Sequence, residues 1–189
     1  MSILGVIMKL PDYASDIRDN LLAIFQENQV ALDQKQLCGV ALAIAYSLKH
    51  EQLLNGIRAE AKLYLEDVDA NACKIAATMM AMTNTYYKFT GMMEDLDYRK
   101  MESGLKMLSL SNTEIPKAEM DLYCLGVSIL NGCEYCTVAH TKRVISAGLS
   151  KEAVRDVARI AAVLQAAVNA LEIERMRSYD FVVRDASMD

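Results

Sequence analysis

Two cysteines and a histidine with the spacing of a chemical site lie close together, at Cys133, Cys136 and His140. Residues three and four positions apart share one face of a helix, so these side chains should project to the same side. The preceding Asn131–Gly132 pair predicts a break, which places Cys133 at the start of a new helix and Cys136 in its first turn. Free N–H groups at a helix start favour negative charge, and a nearby base lowers the pKa of a thiol. The segment therefore predicts a reactive thiolate, with His140 one turn away to accept or donate a proton.

Two other interpretations of the cysteine pair remain open. A Cys-x-x-Cys pair is half of many zinc sites, which normally need four ligands, and His140 could supply only a third. The remaining candidate ligands stand apart from one another: Cys38, Cys73, Cys124 and His50. Two buried cysteines without chemistry are the second alternative, because free cysteine packs as a small hydrophobic residue. A redox-active dithiol is the favoured interpretation.

The composition bounds the kind of protein. A chain of 189 residues with 53% hydrophobic residues is long enough for one domain with a substantial core. Only two prolines and eight glycines, beside abundant Ala, Leu and Met, favour helices over sheet. The net charge of -5 argues against nucleic acid or an anionic membrane as a partner.

The compartment is predicted from the termini and the cysteines. The first residues lack the basic segment and cleavage site of a signal peptide, and no apolar stretch approaches the roughly 20 residues of a membrane span. Five cysteines, an odd number at irregular spacing, do not indicate a secreted disulfide framework. We therefore expect a cytoplasmic protein without a membrane segment, where a Cys-x-x-Cys pair is more often redox-active than structural.

Helical periodicity runs through most of the chain, and its start and stop signals predict the elements. The predicted helices cover 13–26, 37–48 with Asp33 as N-cap, 50–65, 72–89 with Asp69 as N-cap, 116–130, 133–147, and 151 to about 177 with Ser150 as N-cap. Residues 91–115 are predicted to be less regular. Residues 1–180 should form a single all-helical domain, and residues 181–189 a loose C-terminal tail.

A weak internal repeat is also predicted. Lys74-Ile75-Ala76-Ala77 and Asn84 match Arg159-Ile160-Ala161-Ala162 and Asn169 at a constant offset of 85. The repeat would relate residues of about 35–90 to residues of about 117–175, and the first copy has no cysteine pair.

The helices on either side of Asn131–Gly132 make a geometric prediction. Asp121 lies roughly 15 Å from this break along one helix, and His140 roughly 12 Å along the next. If the helices pack antiparallel, the carboxylate and the imidazole reach similar heights, and a histidine oriented by a carboxylate beside a thiol activates a nucleophile. Glu119 is the rival carboxylate, but it lies on nearly the opposite face, so only one of the two can point at His140. An acidic residue in a first turn often only complements the helix dipole, which describes Glu119 better than Asp121.

At these positions the sequence resembles the alkylhydroperoxidase D (AhpD-like) family, which is related to carboxymuconolactone decarboxylases. The matching segments are Leu10-Pro11-Asp12-Tyr13-Ala14, Asp16-Ile17, Ile115-Pro116-Lys117-Ala118, Val127-Ser128-Ile129 and Asn131-Gly132-Cys133-x-x-Cys136-x-Val138-Ala139-His140. The resemblance implies an all-helical fold built from a duplicated unit, and a homotrimer. The high apolar content also favours an oligomer, because exposed apolar patches usually mark interfaces.

The resemblance also assigns roles to individual residues. It makes Cys136 the peroxide-reactive thiol, Cys133 its more exposed partner in a redox-active disulfide, and His140 the proton-relay histidine. Asp121 stands where the family usually has glutamate, and because it is one methylene shorter, a bridging water to His140 is expected. Tyr135 stands where many members have histidine. Its pKa of about 10 prevents it from acting as a base near neutral pH, but it can donate a hydrogen bond.

The function implied is an antioxidant thiol peroxidase that reduces alkyl hydroperoxides without a bound cofactor. The resemblance also implies that it reduces a partner peroxiredoxin, with electrons from a lipoylated protein. Three alternatives differ in what they predict. A protein-disulfide reductase would show little peroxidase activity of its own. The activity of a lyase on a small lactone would survive the loss of both cysteines. A non-enzymatic assembly protein would have unreactive thiols.

Overall fold

The computed structural model describes residues 2–180, with side chains for residues 2–176, and every regular element in this part of the chain is helical. The α-helices are α1 (Ile3–Ile7), α2 (Ser15–Phe25), α3 (Gln34–Leu48), α4 (Glu51–Ala61), α5 (Asp67–Met92), α6 (Asp97–Lys100), α7 (Lys117–Leu130), α8 (Glu134–Ser146) and α9 (Lys151–Asp180). Short 3₁₀ turns lie at Asp12–Ala14 and Leu108–Leu110. The all-helical prediction is confirmed for the described residues. No helix among them combines the length and apolar composition that a membrane span requires.

Helices α3 and α7 form the centre of the core, and they pack against each other and against α5 and α9. Both are buried along most of their length, from Leu37 to Ala45 in α3 and from Met120 to Ser128 in α7. Glycine allows their close approach, because a Cβ at Gly39 would fall inside the ring of Tyr123. Helix α8, which follows α7 in the chain, packs against it. The residues of α8 are therefore held against a helix of the core.

Most helix starts agree with the sequence prediction, and the differences have local causes. Asp33 and Ser150 cap α3 and α9 as expected, through bonds from the backbone N–H groups of Gln36 and Ala153. Asp69 is not an N-cap. The helix begins earlier, at Asp67, and Glu66 caps it while the Asp69 carboxylate accepts the Glu66 N–H at 3.0 Å.

Other boundaries shift by a few residues. The predicted 50–65 helix is α4, which ends at Ala61, and His50 serves as its N-cap through Nδ1. The irregular stretch 91–115 is confirmed in outline, although α5 runs to Met92 and α6 is a single short turn. Three consecutive helices of which the third is by far the longest occur twice, in α3–α5 with 15, 11 and 26 residues and in α7–α9 with 14, 13 and 30 residues. The sequence repeat stays a prediction, and the expected tail, residues 181–189, lies outside the described residues.

Candidate active site

The turn between α7 and α8 places the two cysteines. Gly132 adopts a left-handed conformation with φ of 65°, and its N–H bonds to the Ile129 carbonyl while the Cys133 N–H bonds to the Ser128 carbonyl at 3.1 Å. This Schellman arrangement ends α7 and requires a residue that tolerates positive φ, which glycine does at little cost. The chain enters α8 at once, with Cys133 as N-cap, and its Sγ accepts the backbone N–H of Cys136 at 3.4 Å. The sequence thus fixes both thiols at one helix start, as predicted.

Both thiols are free and buried, with 1% of Cys133 and 5% of Cys136 exposed. The expectation that Cys133 is the more exposed partner is therefore wrong. Burial raises the pKa of Cys136 to about 12, and the neighbouring Cys133 adds to this, while a hydrogen bond from Asn84 lowers it in part. The expected low thiol pKa is not found at Cys136, because loss of solvent outweighs the helix start and the nearby base.

His140 and Asp121 meet as the hairpin geometry predicted. Nδ1 of His140 lies 2.8 Å from Oδ1 of Asp121, and both residues are buried. The contact is direct, so the expected bridging water is not needed between these atoms. Burial raises the pKa of Asp121, but the hydrogen bond and charge of His140, and then Arg143, outweigh it and hold this pKa below its usual range. The ionised carboxylate therefore accepts from Nδ1, which leaves Nε2 as the ring nitrogen that can exchange a proton.

Arg143 is a member of this cluster that the sequence argument missed. Its Nη1 donates to the same Asp121 oxygen at 3.2 Å and lies 3.5 Å from Nδ1 of His140. The signal was present in the sequence, because Arg143 follows His140 by three residues and shares its helix face. Arg143 keeps Asp121 ionised by supplying a second positive partner.

Glu119 takes no part in the cluster. Its carboxylate pairs with Lys35 of α3 at 3.1 Å, and the same ammonium pairs with Asp69 of α5 at 3.1 Å. Glu119 therefore points to the opposite side of α7, and Asp121 is the partner of His140.

Tyr135 lies at the surface of the first turn of α8, with 64% of the residue exposed. Its ring stacks on Tyr87 of α5, with centroids 5.0 Å apart and planes at 27°. Burial raises the pKa of Tyr87, and the adjacent Tyr135 and Cys136 add to this, so the aromatic pair borders the thiols. No hydrogen bond joins Tyr135 to His140 among the side chains described.

The sequence argument also missed Asn84 and Lys88 of α5, which make hydrogen bonds to the turn between α7 and α8. Asn84 of α5 is almost fully buried, and its Nδ2 donates to Oγ of Ser128 at 3.2 Å. Its Oδ1 accepts from Nδ2 of Asn131 at 3.0 Å, and Lys88 donates to the Asn131 carbonyl at 3.2 Å. These contacts, together with the bond from Asn84 to Cys136, tie α5 to the cysteine-bearing turn.

The other three cysteines are packed in the protein interior, and the other histidine, His50, caps a helix. Cys38, Cys73 and Cys124 are buried, and burial raises the pKa of each thiol, that of Cys38 to about 12. His50 caps α4 and pairs with Glu172 at 3.4 Å. Within the described part of the chain, no group of three or more His, Cys, Asp or Glu side chains is placed to hold a metal ion.

Comparison with known proteins finds a matching family and relatives that cover most of the chain. A sequence model of the carboxymuconolactone decarboxylase family matches residues 98–173, which include the cysteine pair and the His140–Asp121 pair. Alkyl hydroperoxide reductase AhpD of Coxiella burnetii (strain Dugway 5J108-111) is 41% identical over 157 residues, covering 82% of this chain and 89% of the relative. The proteins of the same name from Rhodospirillum centenum and Anaeromyxobacter sp. are 34% and 40% identical, over 92% and 86% of this chain and 92% and 87% of the relatives.

The relatives are named as reductases, so the class of protein that these matches define is an oxidoreductase. The chain belongs to the AhpD family of alkyl hydroperoxide reductases, within the wider carboxymuconolactone decarboxylase group.

Proposed function

We propose that this protein reduces organic hydroperoxides with the thiols of Cys133 and Cys136. The observation that carries the proposal is the buried cysteine pair at the start of α8, one turn from a histidine that an ionised carboxylate contacts directly at 2.8 Å. Relatives named alkyl hydroperoxide reductase support the same chemistry.

The reaction consumes one hydroperoxide and two thiols. The Cys136 thiolate attacks the distal peroxide oxygen, the O–O bond breaks, and the alkoxide leaves and takes up a proton to become the alcohol. Cys136 is then a sulfenic acid, and the Cys133 thiol attacks its sulfur, forms the disulfide and releases water. The products are one alcohol, one water and one disulfide.

His140 moves the proton in this scheme. Because the pKa of Cys136 is about 12, the thiol is almost entirely protonated at neutral pH, and attack needs a base. Nε2 of His140 accepts this proton, directly or through a water, while Asp121 holds the ring and stabilises the imidazolium that forms. The same proton is then available to the leaving alkoxide. Tyr135 borders the site, and in this proposal it donates a hydrogen bond to the substrate rather than acting as a base.

The disulfide must be reopened by an external reductant. A dithiol carried on a lipoylated protein, as the family resemblance implies, can do this by thiol–disulfide exchange without a bound cofactor. A groove of about 770 Å³ reaches Asn84 and Asn131 beneath the cysteine turn, and its rim carries three lysines: Lys49, Lys74 and Lys88. A peroxiredoxin as partner, a homotrimer and a cytoplasmic location complete the proposal.

Thiol titration tests the proposal most directly. We expect one equivalent of an alkyl hydroperoxide to remove two of the five titratable thiols, with mass spectrometry locating the disulfide between Cys133 and Cys136. A dithiol should then restore both. If the number of free thiols does not change, the peroxidase proposal is wrong. If the disulfide includes Cys124, the assignment of Cys133 and Cys136 as the reactive pair is wrong. Oxidation only in the presence of a disulfide-bonded peroxiredoxin would make the protein a disulfide reductase instead.

A further inference from the structure

A cavity of about 380 Å³ opens beside the His140–Asp121 pair. One wall is apolar and combines the irregular segment before α7 with α7 itself: Met107, Leu110, Ile115 and Met120. The lining also contains His140 and Asp121, so the cavity reaches the proton-relay histidine one helical turn from Cys136. Its volume is at the lower end of the range for small-molecule sites, and its mixture of apolar and convergent polar groups is typical of them.

Two cations also line this cavity, Lys117 and Arg143. Lys117 takes part in none of the ion pairs found among residues 2–176. Arg143 donates through Nη1 to Asp121, but about half of its side chain is exposed, and a guanidinium has five N–H donors. With Asp121 the only acidic side chain on the lining, the cavity carries net positive charge in a chain whose net charge is -5.

An apolar lining with Lys117 at one end and Arg143 nearer the relay pair matches an amphipathic anion. Lys117 lies four residues before Asp121, and therefore about 6 Å along α7 from the relay pair. A ligand whose anionic end contacts Lys117 can thus lay its apolar part on Met120 and extend toward His140.

We propose that this cavity binds the organic part of a hydroperoxide that carries a carboxylate, with the carboxylate at Lys117 and the peroxide group directed toward His140. Arg143 adds attraction near the middle of the site. The inference rests on the proposed peroxidase function and narrows its substrate class to acidic, amphipathic hydroperoxides. The reaction itself is unchanged, because the carboxylate only positions the substrate.

Binding without turnover separates this inference from the peroxidase proposal. Calorimetry should show that octanoate binds the wild-type protein more tightly than octanol does. Lys117→Met should weaken octanoate binding about fivefold to tenfold, as expected for a charge-assisted contact that water partly screens, and leave octanol unchanged. Lys142→Met is the matched control, because Lys142 is an exposed lysine on α8 that does not line the cavity.

Kinetics then test the substrate class. The wild type should have a higher kcat/KM for a fatty-acid hydroperoxide than for its methyl ester, and Lys117→Met should remove this preference without slowing the ester. The inference is overturned if octanoate binds no better than octanol, if Lys117→Met affects acid and ester equally, or if Lys142→Met has the same effect. Octanoate binding that depends on Lys117, together with thiols inert to both peroxides, would support the anion site and refute the peroxidase.

Discussion

Replacement of Asp121 by Asn isolates the charge that acts on His140. The carboxylate accepts from His140 at 2.8 Å and from Arg143 at 3.2 Å through one oxygen, Oδ1. Asn has nearly the same shape, so the helices should keep their packing, but its amide carries no charge and can present N–H to the imidazole instead. His140 then loses both the acceptor that fixes its tautomer and the stabilisation of its protonated form.

The expected loss is large. General acid–base help is worth roughly a hundredfold or more, and it depends here on the orientation of His140. We expect the rate of the first peroxide turnover to fall by about 100-fold at pH 7. The pKa of Asp121 lies below its usual range, so the carboxylate stays ionised throughout an assay between pH 5 and 9. In the variant the rate should recover as pH rises, because hydroxide then replaces the missing base and the thiol of Cys136 ionises.

Rapid-quench alkylation followed by mass spectrometry measures this rate without relying on fluorescence, since the chain has no tryptophan. Glu119→Gln is the matched control on the same helix, because Glu119 pairs with Lys35 and should change the rate little. Asp121→Glu should bring no gain, since the native carboxylate already contacts His140 directly. The reasoning fails if Asp121→Asn oxidises within twofold of wild type across the pH range, or if Glu119→Gln causes the larger loss.

Four further substitutions test the thiol assignment and the fold. Cys136→Ser should abolish reaction with peroxide, whereas Cys133→Ser should allow one turnover and leave a sulfenic acid on Cys136 that a dione trap reveals by mass spectrometry; the reverse pattern would exchange the two roles. Gly39→Ala should cost about 1–3 kcal/mol in urea unfolding, because the new Cβ would overlap the buried ring of Tyr123; an unchanged midpoint would refute this packing. Asp156→Asn should cost about 1–3 kcal/mol above pH 5, because a backbone N–H and two guanidiniums lose their anionic partner. Burial raises the pKa of Asp156, but those donors outweigh it and leave the pKa low, so the difference should shrink as pH falls below about 3.9 and through the folded value; a constant difference would contradict it.

The sequence predicted those parts of the site that depend on local geometry. Helix spacing places Cys133, Cys136 and His140 on one face, and the Asn131–Gly132 signal reverses the chain where Gly132 adopts positive φ. An antiparallel hairpin then brings Asp121 to the height of His140, which needs no knowledge of the remaining helices. For the same reason two of the three predicted N-caps, Asp33 and Ser150, are confirmed, because a cap bonds to N–H groups two or three residues away.

What the sequence could not supply depends on contacts between distant segments. The raised pKa of Cys136 follows from burial under helices whose packing no local pattern reveals. The direct Asp121–His140 contact depends on the distance between two helix axes, which side-chain length alone does not determine. Asn84 lies 47 residues from its partner Asn131, so no spacing rule connects them.

The part of the chain without a cysteine pair nevertheless shapes the chemistry. Helix α5 supplies Asn84 beneath the turn, Lys88 at the Asn131 carbonyl and Tyr87 beside Tyr135. Of these three residues, Asn84 lowers the pKa of Cys136 through a hydrogen bond. Burial acts in the opposite direction and raises the pKa of the same thiol. The same helix that excludes water from the thiol thus provides a donor that stabilises its anion, and the remaining demand for deprotonation falls on His140. In the proposed mechanism, burial would protect the dithiol from indiscriminate oxidation, and the base would make its reactivity depend on a substrate that fits beside the histidine.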